Sequence, residues 1–336
     1  MKEILIVTTV DGYFAQGEMP WSSMNVETVK SELEKKGFVV NVVTFDYLKG
    51  NNVKDKIIVY TSSQRIEHKK YIEDVMYFLK DENLIIPSYT SLKAHDNKGF
   101  QCLLNNKYNL GLIESDYLCD IKELDYNSVK FPLVAKPANG ASSIGVDIVK
   151  DEKQVELFYS KLKEFDYSSF KNILKKYIFR NRYNKKWDDY ASFAKGRFVI
   201  QKFIPQLKYD YKVLIFGKKY YVLKRSVAKG DFRASGSGIH STEFDKEVFI
   251  VLDAAKTFKN KYRSHIYSLD ICVSEGRARF IEFQFTHVGP VTLTHSNFFF
   301  VSEGGVWKKV EGNSELEVEF SNSILEYINE SSSLCS

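Results

Sequence analysis

The sequence predicts an N-terminal α/β unit with a parallel sheet, followed by an α+β region built on antiparallel sheets. Three observations carry that prediction. Through residues 1–90, short β-branched runs alternate with helical stretches. From about residue 91, strand-like runs come in pairs separated by glycine turns. One such pair, Leu269-Asp-Ile and Phe280-Ile-Glu-Phe-Gln-Phe285, alternates polar and apolar residues with the period of a strand.

Taken in order, the N-terminal strands are expected at Ile4–Val7, Val39–Phe45, Ile57–Tyr60 and Leu84–Ile86. Helices from about Ser23 to Lys36 and near Ile66–Lys80 connect them. Ser22 or Ser23 can cap the first helix, and Gly37 follows Lys35 and Lys36 as its stop. Beyond residue 90 come a helix near Asp96–Leu104, Pro132–Lys136 paired with Gly145–Val149, Phe198–Ile204, and Tyr211–Phe216 paired with Lys219–Lys224. Residues after about 312 are rich in Ser and Glu and read as one short helix with a frayed tail. The expected domains are 1–90, 91–200 with a basic helical insertion at about 160–197, and 201–325.

Composition narrows the class. A chain of 336 residues with 44% hydrophobic and 15% aromatic content has ample material for a core. Its net charge of +5 suits anionic nucleotides and falls short of a dedicated nucleic-acid binder. The four cysteines have no CxxC spacing and read as reduced thiols of a cytoplasmic protein. No run approaches the roughly 18 apolar residues of a membrane span, so no integral membrane association is expected. Between Lys175 and Trp187, six Lys or Arg residues occur with no acid, interleaved with aromatics. A patch for an anionic polymer or lipid surface is one reading; the favoured one is a helical insertion with solvated charges and aromatics packed on the body.

Two stretches carry chemistry. Glu282 and Gln284 share one face of a strand. A three-residue hairpin loop at 275–277, with Gly276 near the left-handed position, would set Asp270 opposite Glu282. Three oxygen donors would then converge, as Mg²⁺ requires. Taken alone, a surface hairpin whose polar residues face water accounts for the pattern equally well. The second stretch is Phe131-Pro-Leu-Val-Ala-Lys-Pro-Ala-Asn-Gly-Ala-Ser-Ser-Ile-Gly-Val146, where a strand ends on Lys136 and a loop of small residues follows. Its backbone N–H groups and the hydroxyls of Ser142 and Ser143 can wrap polyphosphate, with lysine supplying charge. It is neither a Walker A loop nor a Rossmann fingerprint, and by itself a glycine-rich turn would explain it.

This stretch closely resembles the phosphate loop of ATP-grasp enzymes, notably carboxylate:amine ligases of the D-alanine:D-alanine ligase type. Other segments match that family in order. Asp96-Asn-Lys98 with Leu103-Leu104 resembles the helix start whose lysine meets the phosphates, with Asn97 inserted. Val199-Ile-Gln-Lys-Phe-Ile204 resembles the hinge that clasps adenine, through Gln201, Lys202, Phe203 and Ile204, with Gln201 where an acid is usual. Asp210-Tyr-Lys212-Val resembles the family's Asp-x-Arg-Val strand, with lysine for arginine. Asp270, Glu282 and Gln284 match its Asp, Glu and Asn magnesium ligands, and Gly289-Pro-Val-Thr-Leu-Thr-His-Ser296 resembles its acceptor loop, which makes Ser296 a substrate candidate. Ser268 stands where the D-alanine ligases carry an arginine, so another cation is needed. Lys212, Arg225 and Arg233 are the catalytic candidates, and Ser235, Gly236 and Ser237 beside Arg233 are further substrate candidates.

The resemblance implies an ATP-grasp fold behind an N-terminal parallel α/β domain, with ATP and Mg²⁺, or Mn²⁺ in its place, as cofactors. It implies a ligase that turns a small-molecule carboxylate into an acyl phosphate and joins it to an amine, releasing ADP and phosphate. Two alternatives stay open at this level: an ATP-grasp phosphotransferase, and a nucleotide-binding regulatory module without turnover. Small-molecule carboxylates and amines are the expected partners, without nucleic acid, and a homodimer is compatible with the sequence.

Overall fold

A computed structural model of the chain describes residues 3–18, 22–140, 145–162, 167–186, 196–228 and 238–334. The chain divides into two compact units, one of Met1–His95, Lys107–Gly111 and Leu207–Ser336, the other of Asp96–Asn106 and Leu112–Gln206.

The first unit begins with a parallel sheet of β1 (Glu3–Thr8), β2 (Val39–Thr44), β3 (Ile57–Tyr60) and β4 (Leu84–Ile86), in the order β2-β1-β3-β4. Both faces are covered. Ile4 and Ile6 enter one core while Leu5 and Val7 enter another, which is why β1 reads as an unbroken apolar run. The first helix starts later than expected, at Val26, with Asn25 accepting from the Thr28 amide at 3.1 Å. Ser23 is not its cap: its hydroxyl accepts from the Phe14 amide at 2.9 Å and donates to the Met24 carbonyl at 2.9 Å.

The second unit holds an antiparallel sheet of β5 (Ser115–Leu118), β6 (Leu133–Pro137), β7 (Asp147–Val149) and β8 (Phe198–Lys202), ordered β5-β8-β6-β7. Leu133, Ala135, Phe198 and Ile200 face Val155 and Phe158 of the helix Glu152–Lys161. The helix expected near residue 96 runs Lys98–Tyr108. The basic insertion forms a helix, Tyr167–Tyr177, and a short 3₁₀ turn, Arg180–Arg182. Its charges are solvated as expected; of its aromatics Tyr183 is partly buried, whereas Tyr177 and Phe179 stand in solvent instead of packing on the body, with Ile178 exposed between them.

Back in the first unit lies a larger sheet. It comprises β9 (Tyr209–Phe216), β10 (Lys219–Ser226), β11 (His240–Ser241), β12 (Ile266–Ser274), β13 (Arg277–Gln284), β14 (Phe298–Glu303) and β15 (Val306–Glu311). The order is β13-β12-β9-β10-β14-β15, with β11 paired to β10. Strand periodicity gives its two faces different neighbours. Tyr267, Phe280 and Phe283 meet Phe258 of the helix Glu247–Lys261, with ring centroids 6.2, 4.9 and 5.0 Å away. On the opposite face, Leu214, Phe216, Tyr221 and Ile266 join the same core as Ile4 and Ile6. The C-terminal helix, Leu316–Leu334, is much longer than the short one expected. Leu316, Phe320, Ile324 and Ile328, each four residues apart, form the stripe that docks it into that core.

His265 sits beside Phe320, ring centroids 5.6 Å apart, with neither ring nitrogen hydrogen-bonded. Burial lowers its pKa from 6.5 to about 3. Because the folded value lies below the unfolded one, the neutral ring stabilises the protein fully above about pH 6.5, and that stability is lost as pH falls. Denaturant titrations at pH 7.5 and 5.5 are expected to show a loss of about 1.4 kcal/mol from this group at the lower pH. His265→Leu is expected to remove that increment; an unchanged pH dependence in the variant would show that other groups carry it.

Among the described residues, no helix is long and apolar enough to cross a membrane. Cys102, Cys119 and Cys272 are free thiols, and burial pushes Cys102 up to about 12, leaving it inert.

Candidate functional site

One end of the large sheet in the first unit gathers five of the predicted residues: Lys212, Arg225, Asp270, Glu282 and Gln284. Asp270 pairs directly with Glu282, and Ser268 with Gln284, so all three predicted oxygen donors lie on one face. The route to that register differs from the expected one. The hairpin loop has two residues, Glu275 and Gly276, both with positive φ (54° and 70°), and Ser274 pairs with Arg277. A β-bulge between Asp270 and Ile271, with Ile281 as the extra residue opposite, supplies the one-residue offset expected from a longer loop.

The face continues across β9 and β10. Lys212 pairs with Asp270, and its ammonium donates to Ser268 Oγ at 2.9 Å. The cation thus reaches the position where Ser268 itself brings no charge. Arg225 donates through Nε and Nη2 to the two oxygens of Asp210, at 2.7 and 2.9 Å, and Nη2 also meets Asp270 Oδ2 at 3.0 Å. Desolvation by the surrounding strands lowers the Lys212 pKa, with Asp270 opposing. Burial works against the charged form of Arg225 too, yet Asp270 and Asp210 hold it above the ordinary arginine range. Burial raises the Asp210 carboxyl, and Arg225 pulls it back.

These residues fit a hard divalent cation. Two carboxylates and an amide oxygen stand at adjacent register positions, each side chain only partly buried. Among the described residues no group of three or more His, Cys, Asp or Glu is placed to hold a metal, so a cation here would need an amide oxygen such as that of Gln284 beside the two carboxylates.

The second unit assembles the lysines. Lys136, at the end of β6, is buried and donates to Gln201 Oε1 at 2.6 Å, while Gln201 Nε2 donates to Ser115 Oγ at 2.9 Å. Gln201 thus places its carbonyl on lysine, and β8 positions the β6 cation. Lys98 opens its helix against the loop that follows Lys136: its amide donates to the Ala138 carbonyl at 2.8 Å and its ammonium to the Gly140 carbonyl at 2.5 Å. Asn97, the inserted residue, bridges to Asn139 and caps the helix by accepting from the Phe100 amide at 3.0 Å. A Cβ on Gly99 would lie 2.2 Å from the Tyr117 ring, so only glycine lets that ring seat against the helix start. Lys202 is exposed beside Glu114 at 3.8 Å, and Phe203 and Ile204 follow it, partly buried, beyond the end of the strand.

Other candidates lie elsewhere or outside view. Ser296 is buried, with its hydroxyl donating to the Phe298 carbonyl at 2.5 Å, so it shapes the turn at the end of the 289–296 loop. His295 of that loop meets Glu18 of the N-terminal loop at 3.3 Å. Ser142, Ser143, Arg233, Ser235, Gly236 and Ser237 lie outside the described residues. Sequence reasoning assigned no role to Asp210 or Ser115. Asp210 was visible in the Asp-Tyr-Lys run; Ser115 carried no signal, because its partner is 86 residues away.

The fold is that of the ATP-grasp ligases. Among solved structures, a D-alanine–D-alanine ligase from Bacillus anthracis complexed with ATP matches at TM-score 0.54 and 15% identity, covering 99% of this chain and 98% of that one. An N5-carboxyaminoimidazole ribonucleotide synthetase from Thermotoga maritima matches at TM-score 0.53 and 15% identity, over 98% and 76% of the two chains. A curated D-alanine–D-alanine ligase of Sulfurimonas denitrificans is 26% identical over 197 residues, 56% of this chain and 49% of that protein. The match thus spans about half the length of this relative. No family model matches the chain.

Proposed function

We propose that the protein is an ATP-dependent carboxylate:amine ligase that forms an acyl phosphate and releases ADP and phosphate. The observation that carries this reading is the register pairing of Asp270 with Glu282 beside Lys212 and Arg225, which puts two carboxylates and two cations on one sheet face. Phosphoryl transfer needs positioning and charge neutralisation more than a side-chain nucleophile. Asp270, Glu282 and Gln284 hold Mg²⁺, which when bound neutralises charge on the phosphates. Lys98 and Lys136 bind phosphate oxygens, and Gln201 keeps Lys136 in a single rotamer. Lys202, Phe203 and Ile204 form the adenine segment, with Ser142 and Ser143 as phosphate donors. Lys212, Arg225 and Arg233 supply the cations that offset charge on an acyl phosphate, with Ser235, Gly236, Ser237 and Ser296 on the substrate side. Cytoplasmic ATP supply and the free thiols of Cys102, Cys119 and Cys272 favour a cytoplasmic reaction.

The test is Mg²⁺-dependent ADP release across a panel of small carboxylates and amines, with products read by mass spectrometry. ADP together with an amide product supports ligation. A stable phosphorylated molecule would make the protein a phosphotransferase, and no ADP with any pair would leave nucleotide binding without turnover. In the same assay Lys136→Met is expected to weaken ATP binding roughly tenfold or more, since it removes a charge-assisted phosphate contact. Unaltered ATP affinity in a folded Lys136→Met would remove Lys136 from the site.

A further inference from the structure

The basic insertion of the second unit plays no part in the proposed chemistry. Over residues 167–186 it carries seven Lys or Arg and no acid. Among the described residues, Lys175, Arg180, Arg182, Lys185 and Lys186 form no ion pair. Between these cations, at the end of the helix Tyr167–Tyr177, three apolar or amphipathic residues follow one another: Tyr177, Ile178 and Phe179, exposed by 68, 64 and 55%. They are held in place by backbone. The amides of Ile178 and Phe179 donate to the Leu174 carbonyl at 2.8 and 3.0 Å, and the Arg182 amide donates to the Phe179 carbonyl at 2.8 Å. The same helix anchors itself through Asn172, which is buried, and Ile173 and Leu174, partly buried.

We propose that this helix end is a docking surface for an anionic phospholipid bilayer, with Ile178 and Phe179 entering the interface and the flanking cations meeting headgroup phosphates. Three points on the surface select that occupant. Over residues 167–186 the charge is of one sign, and at Lys175, Arg180, Arg182, Lys185 and Lys186 it is without an ion-pair partner, which complements an anionic plane and makes a second copy of the same patch repulsive. The apolar residues project between the cations, as in interfacial helices that combine buried apolar area with electrostatic attraction. Ile178 has no π face on which a nucleic-acid base could stack, and Tyr177 is suited to the boundary between acyl chain and water. The binding is peripheral.

The test uses the full chain in co-sedimentation with extruded vesicles of phosphatidylcholine alone, or with roughly a third phosphatidylglycerol to give a negative surface. Binding to the anionic vesicles, weakened by salt and absent on phosphatidylcholine, is expected. Neutralising Arg180 and Arg182 to Gln should lower the partition coefficient by about fivefold per charge. Ile178→Ser with Phe179→Ser should lower it at every salt concentration. Because both sites are exposed, the variants should keep the parent circular dichroism spectrum. As an independent reading, Phe179→Trp should show a blue-shifted emission increment on anionic vesicles. The proposal is overturned by no binding to anionic vesicles, by binding that survives the double serine variant unchanged, or by no shift in Phe179→Trp. Tighter capture of a single-stranded oligonucleotide, lost with the charges and indifferent to Ile178 and Phe179, would identify a polyanion site instead.

Discussion

Asp270→Asn is expected to reduce Mg²⁺-dependent ADP release by roughly a hundredfold or more, the scale seen when one electrostatic group is removed from a transition-state site. The substitution keeps the size of the side chain and one acceptor oxygen while removing the charge that a divalent ion requires. It should change the fold little. Asp270 is only one of two carboxylates on Arg225, and the bidentate pair with Asp210 persists without it. The measurement is therefore paired: ADP release against Mg²⁺ concentration, and the thermal midpoint of the same sample. A shift of the Mg²⁺ dependence to higher concentration with a nearly unchanged midpoint is the expected result. Full turnover in Asp270→Asn at low Mg²⁺ would end the metal assignment, and loss of the folded state would make Asp270 structural.

Arg225→Met is expected to cost about 3–5 kcal/mol of stability, the range found when one partner of a buried ion pair is deleted. The cause is the group left behind. The side chain of Asp210 is only 3% exposed, so without Arg225 its charge is stranded in the sheet. The double variant Arg225→Met/Asp210→Asn should recover most of the loss, because it removes the stranded charge as well as the cation. Urea titration of both variants with the parent closes the cycle. A single-variant cost below about 1 kcal/mol would show that the pair behaves like a surface salt bridge. Activity should stay low in the double variant even where stability returns, since Arg225 also meets Asp270. Recovered activity would remove Arg225 from the catalytic set.

The alternation around Asp270 and Glu282 determined that both would face the same way once paired, since a strand has a period of two. Loop length and bulge, however, trade against each other with the same outcome, and only packing of the whole sheet selects a two-residue turn with Ile281 bulged over a three-residue turn. The positive φ of Gly276 was legible; that of Glu275 was not. At the first helix, Ser22, Ser23 and Asn25 are comparable caps by local chemistry, and the choice fell to Asn25 because Phe14 and Met24 already engage Ser23. A serine-rich C-terminus has weak helical propensity by itself, and Leu316–Leu334 is helical because its stripe finds the Ile4 and Phe216 core. The exposure of Tyr177 and Phe179 went against the expectation that the insertion's aromatics pack on the body, since nothing local tells a body-facing aromatic from an outward one.

By itself, then, the amino-acid order determined the parallel N-terminal sheet, the strand pairs and the residue types suited to phosphate oxygens and a hard cation, all of them consequences of short-range periodicity and side-chain chemistry, while ATP entered only through the family resemblance. Tertiary structure alone decided which partners the cations meet. Lys136 finds Gln201 65 residues on, Lys212 finds Ser268, and Arg225 joins Asp210 to Asp270, because strand order and register, which depend on the whole sheet, set those neighbours.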